Sequence, residues 1–189
     1  VILGLLNIFS QNNDIKKDAD VLLDAFLTEQ RNEGWWSEYG GPDIGYLSLT
    51  VSYLYKYKCL TRSKKVDEPI ERAKHFVESF IHVDATAGGE YMSRNTEYII
   101  PSGALPYLGA VKPAHLDDRY LCYILYNWIE AGLDTAPQPI PRREASEYFE
   151  ESAIMRIYKE PFFLAANGMK GGVFRLYVRG GVYYDCGIE

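Results

Sequence analysis

The segment Glu33-Gly-Trp-Trp-Ser-Glu-Tyr-Gly-Gly-Pro-Asp-Ile-Gly-Tyr46 holds two Trp, two Tyr, three acidic residues and four Gly. A loop that merely joins two helices needs the glycines and the proline, but not the aromatic and carboxylate load. Ring faces stack on the apolar C–H surfaces of sugars, while carboxylates and phenols orient or activate hydroxyls. The segment therefore reads as part of a carbohydrate-binding or catalytic cleft, in keeping with the tendency of loops to carry function. The alternative is a loop folded inward, with Trp35 and Trp36 as plugs in the core.

Composition narrows the classes. The 189 residues are 47% hydrophobic, 24% charged and 14% aromatic, which suits one or two globular domains and excludes disorder. Tyrosine dominates the aromatics, with 16 Tyr against 3 His. The net charge of −6 argues against a nucleic-acid partner, which calls for a basic face. Local Arg and Lys can still line a cleft for an anion. Cys59, Cys122 and Cys186 are widely spaced, with no CxxC pair, and read as structural thiols. No run is long and apolar enough for a membrane span. No phosphate-cradling glycine loop, GxSxG elbow or HExxH helix occurs, so neither a cofactor nor a metal is expected. The opening Val1-Ile-Leu-Gly-Leu-Leu has no initiator Met and no basic leader, which reads as part of a longer protein and leaves the compartment open.

The elements that must position the loop are helical for the first two-thirds of the chain. Ile15, Ala19, Leu22, Leu23 and Phe26 predict a helix from Asp14 to Gln30. Asp43 is placed to cap the next, with Ile44, Leu47, Val51 and Leu54 as its apolar stripe to about Leu60. Asp67 is expected to cap a third, with Pro69 in its first turn and Ile70, Ala73, Val77, Phe80 and Ile81 inward. A second loop, Thr86 to Tyr98, precedes a helix expected from about Ser102 to Ala110, then another from Leu116 to Ala131. The two loops are loosely alike and about 55 residues apart, the scale of a repeating helical hairpin.

Thr135-Ala-Pro-Gln-Pro-Ile-Pro-Arg-Arg143 is a proline-rich break. The Glu144, Glu147, Glu150 and Glu151 series beyond it has the spacing of an exposed helical face, a pattern that can also bind calcium. Phe162 to Ala166, Gly172 to Val178 and Val182 to Cys186 are short and β-branched or aromatic. Asn167-Gly168 and Gly180-Gly181 punctuate them, which predicts hairpins. The expected organisation is α+β: helical hairpins over 1–134, a linker and short helix over 135–152, and the start of an antiparallel β-domain over 153–189.

Helical hairpins with Gly- and aromatic-rich loops, then Lys170-Gly-Gly-Val-Phe-Arg-Leu-Tyr177 and Val182-Tyr-Tyr-Asp-Cys-Gly187, resemble the heparinase II/III type of polysaccharide lyase. The resemblance implies an incomplete (α/α) toroid joined to an antiparallel β-sandwich, and β-elimination on a uronate in a polysaccharide or oligosaccharide. Such a site needs a Tyr or His base and acid, with Arg and Asn near the carboxylate. It implies Tyr39, Tyr46, Arg94, Asn95 and His115 as catalytic candidates, with Trp35, Trp36, Glu38, Tyr91 and Glu97 on the substrate. Arg94 and Asn95 pair a guanidinium fork with an amide, suited to a carboxylate. Alternatively, Arg94 pairs with Glu90 or Glu97 and ties its loop down.

Two other functions fit the same residues. An inverting glycoside hydrolase would need two carboxylates roughly 6.5–9.5 Å apart, drawn from Glu38, Asp43 and Glu97. A non-enzymatic helical array would present Trp35, Trp36 and Tyr39 to a glycan or protein. A terpenoid cyclase lacks its DxDD or DDxxD run.

Overall fold

The computed structural model describes residues 11–106, 118–132 and 143–185. Helix α1, Asn13–Thr28, starts where the Asn12 side chain accepts the Asp14 N–H at 2.8 Å. Helix α2, Ile44–Thr61, is capped as its sequence predicts, with Asp43 accepting the Tyr46 N–H at 3.0 Å. Its Ile44, Leu47, Val51 and Leu54 stripe is buried. Helix α3, Asp67–Ser79, has Val66 at its N-cap with no side-chain bond, so Asp67 sits in the first turn and favours the helix through its charge, not as a cap. Ile70, Ala73, Phe76 and Val77 of this helix face inward. Helix α4, Asp118–Glu130, leads to Gly132 at φ 64°.

The helix expected from Ser102 does not form through Pro106; its remainder lies outside the described residues. Ser102 and Leu105 instead exchange backbone hydrogen bonds in both directions at 3.1 Å, and the Ser102 hydroxyl accepts the Leu105 N–H at 3.2 Å. Pro101 and Pro106 bracket this turn, and proline disfavours helical backbone in the residue before it. The second loop thus runs into extended chain, so through Pro106 it does not copy the first.

Five strands form one antiparallel sheet in sequence order: β1 Ala145–Phe149, β2 Ile154–Lys159, β3 Phe162–Asn167, β4 Val173–Val178 and β5 Gly181–Asp185. Arg179 and Gly180, at φ 49° and 77°, make the two-residue β4–β5 turn. Strand β1 corrects the helical reading of the glutamate series. Glu147 lies opposite Arg156 of β2, to which it is salt-bridged at 2.9 Å, and Phe149 packs edge-on to Phe76 at 5.3 Å. The alternation of Ala145, Glu147 and Phe149 outweighs the i, i+3 spacing of the carboxylates.

One face of the sheet carries Ile154, Tyr158, Phe163, Ala165, Val173 and Tyr177 into the same core as Leu23, Trp35, Phe76, Phe80 and Tyr91. Each of the fully buried Phe76, Phe80 and Phe163 side chains contributes about 1.5–3 kcal/mol by leaving water. Helices α2 and α3 pack together, and α4 meets α2 through Asn127, which accepts from Lys56 at 2.9 Å and Ser52 at 3.3 Å. The architecture is α+β, with helices and a sheet sharing one core. No described helix is long and apolar enough to cross a membrane.

Candidate functional site

The first loop is anchored to the tip of the β1–β2 hairpin by reciprocal glutamates. Glu33 accepts the backbone N–H groups of Glu151 at 2.6 Å and Ser152 at 3.2 Å, while Glu151 accepts the Glu33 N–H at 3.0 Å. Glu33 also takes the Trp35 indole N–H at 2.8 Å. Trp35 is buried, and Trp36 stacks on Phe26 at 4.9 Å while donating its indole N–H to the Phe26 carbonyl at 2.8 Å. The inward reading therefore describes Trp35, while Trp36 is half-buried at the edge of the core with Phe26 against its ring. Tyr39 goes the other way. Glu38 and Gly41 close a two-residue turn with Tyr39 at φ 53° and Gly40 at φ 85°, leaving Tyr39 77% exposed at its tip.

The second loop is held by the sheet. Arg175 donates from Nε to Glu90 at 2.8 Å and from Nη2 to both Glu90 and Glu97. Lys170 donates to the carbonyls of Glu90 and Met92, each at 2.7 Å, and Asn167 donates to the Tyr91 carbonyl at 2.7 Å. A methyl group at Gly89 would come within 2.9 Å of the Arg175 guanidinium, so the close approach needs glycine there. Thr96 then ties the two loops together, donating to the Asp43 carboxylate at 2.6 Å and accepting the Gly45 N–H at 3.1 Å.

These clamps bring Arg94 between two phenol rings. Its guanidinium carbon lies 4.5 Å from the Tyr39 ring centre and 5.2 Å from that of Tyr46. Asn95, beside it, is exposed. Because Arg175 takes Glu90 and Glu97, the reading in which Arg94 pairs with either carboxylate is not realised. Among the described residues Arg94 has no ion pair. Desolvation is the largest single influence and works against its charge, but the Tyr46 and Tyr39 phenols and the Asp43 carboxylate together outweigh it and hold Arg94 above the ordinary arginine value. Burial is the largest influence on Asp43 and pushes its carboxyl up, against the Thr96 and Tyr46 hydrogen bonds that favour its ionised form. Tyr98 packs on Tyr120 at 5.4 Å, and burial followed by the neighbouring Tyr120 raises its phenol well above the usual range. Tyrosines continue from there, the Tyr53 and Tyr123 hydroxyls meeting at 3.2 Å.

The structure thus gathers Tyr39, Tyr46, Arg94 and Asn95, with Glu38 at the base of the Tyr39 turn. It withdraws Tyr91, which is fully buried with its hydroxyl 2.8 Å from His82 Nε2. His82 Nδ1 meets Thr86 Oγ1 at 2.8 Å and the Tyr177 hydroxyl at 3.0 Å, so this histidine belongs to a buried polar joint between loop and sheet. Glu97 serves Arg175, and His115 lies outside the described residues. Sequence reasoning missed the positioning roles of Arg175, Asn167 and Lys170. The signal was present in β4: Arg175 alternates in phase with Val173 and Tyr177, and an arginine on the inward face of a strand requires an acidic partner. No described group of three or more His, Cys, Asp or Glu side chains is arranged to hold a metal ion.

Comparison with known protein families, characterised proteins and solved structures finds no match to this chain.

Proposed function

We propose that the two-loop surface binds an acidic polysaccharide and carries out lyase-type β-elimination at a uronate. The observation that carries this reading is Arg94, a cation without an ion pair among the described residues, held between the phenols of Tyr39 and Tyr46. Its fork, with the Asn95 amide, would take the uronate carboxylate and stabilise the enolate formed from it. One phenol, as phenolate, would remove the proton on the carbon next to the carboxylate. The electron pair left there forms the carbon–carbon double bond as the glycosidic C–O bond breaks, and the other phenol gives its proton to the leaving oxygen. The proposal keeps the heparinase II/III affinity, with α1 to α4 as part of an incomplete toroid. Inverting hydrolysis draws less support, because Asp43 is occupied as a buried cap and Glu97 as a partner of Arg175.

The test is a panel of uronate polysaccharides followed by the ultraviolet absorbance of the new double bond. A rising signal should fall roughly 100-fold or more in Tyr46→Phe or Tyr39→Phe, the usual scale of a lost acid–base group. Arg94→Ala should abolish it. Full activity in all three variants would remove the assignment, and new reducing ends without absorbance would replace elimination with hydrolysis.

A further inference from the structure

The buried joint around His82 fixes which of its atoms donate. The Thr86 hydroxyl donates to the Asp84 carboxylate at 2.6 Å, so toward the ring its oxygen offers only lone pairs. His82 Nδ1, 2.8 Å away, therefore carries the hydrogen. In a neutral imidazole that leaves Nε2 as an acceptor, and the Tyr91 hydroxyl donates to it at 2.8 Å. Tyr177 closes the group, its hydroxyl 2.9 Å from Thr86 Oγ1 and 3.0 Å from Nδ1. Burial pushes Tyr91 above the usual phenol value and Tyr177 up to about 12, so both phenols keep their protons. A second proton can enter the ring only at Nε2, where it meets the Tyr91 O–H, a donor facing a donor. His82 and Tyr91 are both fully buried, with the Phe163 ring against the first and the Phe80 ring against the second, so the displaced hydrogen faces apolar surface.

We infer that His82 is an acid-operated latch on the second loop. Neutral, it takes the Tyr91 hydroxyl and holds the loop against β3 and β4; protonated, it turns that hydroxyl away and lets Tyr91 leave. The Tyr91 carbonyl accepts from Asn167, and those of Glu90 and Met92 accept from Lys170, so withdrawal of Tyr91 loosens these clamps together. Arg94 lies just beyond them. The nearby charges oppose one another: Asp84 favours an imidazolium, while Arg175, close enough to act on both Tyr91 and Tyr177, disfavours it and is itself offset by Glu90 and Glu97. Hydrogen-bond direction decides. A released histidine takes its proton near about pH 6.5, whereas the docked joint has no acceptor for the displaced hydrogen. Docking is therefore complete above that pH and lost as pH falls. The inference does not depend on the uronate chemistry.

The experiment is nitrogen NMR of the isotope-labelled chain between about pH 8 and about pH 5, reading the His82 ring and the backbone amides together. At the upper end Nδ1 should carry the hydrogen and Nε2 should not. As the ring takes its second proton, the amides of Tyr91, Met92 and Arg94 should move with the same midpoint, while the exposed His75 titrates apart from them. The released population should rise about 10-fold across the range, the scale of one buried donor left without a partner. Tyr91→Phe removes the opposing hydroxyl, so His82 should then protonate without further movement of the loop. An Nε2–H tautomer at the upper end overturns the latch, as does a ring that protonates while the loop stays docked. So does a loop that moves while the ring stays neutral, a joint unchanged to the lower end, or a loop that still follows His82 in Tyr91→Phe. The tautomer and the shared midpoint need no variant, so they decide the matter even if Tyr91→Phe fails to fold.

Discussion

Replacing Arg175 by Met removes the sheet's hold on the second loop while preserving bulk in the core. The Arg175 side chain is 7% exposed and that of Glu90 11%, so the pair is largely out of water, whereas Glu97 is 37% exposed. Burial opposes the Arg175 charge, and its hydrogen bonds to the Glu90 and Glu97 carboxylates override it, holding the guanidinium above its ordinary range. Breaking such a pair from one side strands the Glu90 carboxylate at a cost of about 3–5 kcal/mol. The Glu97 contact, nearer solvent, adds up to about 1 kcal/mol. At about 2–4 °C per kcal/mol for a chain of this size, the midpoint of thermal unfolding should drop roughly 6–24 °C. Urea unfolding followed by tryptophan fluorescence measures the free energy, since Trp35 is buried on the loop docked beside this sheet. Adding Glu90→Gln to Arg175→Met should restore part of the loss by removing the stranded charge. A loss below about 1 kcal/mol would refute the reasoning, since that is the value of an exposed pair. So would a double variant no more stable than Arg175→Met alone.

Asp43 supplies a pH signature. Because burial raises its carboxyl above 3.8, the folded state holds that proton more tightly than the unfolded one, and stability falls as pH rises from 3.8 through the raised value. Asp43→Asn, which keeps a good cap, should gain on the parent over that window in urea titrations and hold a constant margin above it; a margin flat at every pH would contradict the assignment. Gly34 sits at φ 102°, and a methyl group there would overlap the Arg72 carbonyl. Gly34→Ala should therefore cost roughly 2–6 kcal/mol of unfolding free energy from strain and overpacking together, and a neutral result would mean the loop can shift away from α3.

What the sequence made legible is what local chemistry decides. Asp43 and the Ile44 stripe gave α2 its start and its buried face, and short β-branched and aromatic runs punctuated by glycines marked β3, β4 and β5. The glutamates after residue 143 misled because charge spacing on an exposed edge is compatible with either period, and the decision lay with Phe149 reaching Phe76 and Phe80. Within the site, Tyr39 and Tyr91 are the same residue type in similar loops. One is 77% exposed and the other fully buried because Tyr39 tips a free turn while Tyr91 lies under β3 and β4. Partners that distant in the chain leave no mark on the loop's own sequence. Residue type points to Arg94, Tyr39 and Tyr46 singly, but their union depends on Thr96 bridging to Asp43, which no spacing rule encodes.

The clamp between Glu33 and Glu151 spans 118 positions, and that between Arg175 and Glu90 spans 85. During synthesis from the N-terminus, both loops are therefore made long before the strands that fix them. The helices can begin to gather, but the Arg94 cluster has no fixed geometry until β4 has emerged and closed those distant contacts. Until then, a nascent chain exposes two aromatic-rich loops without their anchors. The sheet made after both loops is thus what gives them a defined shape.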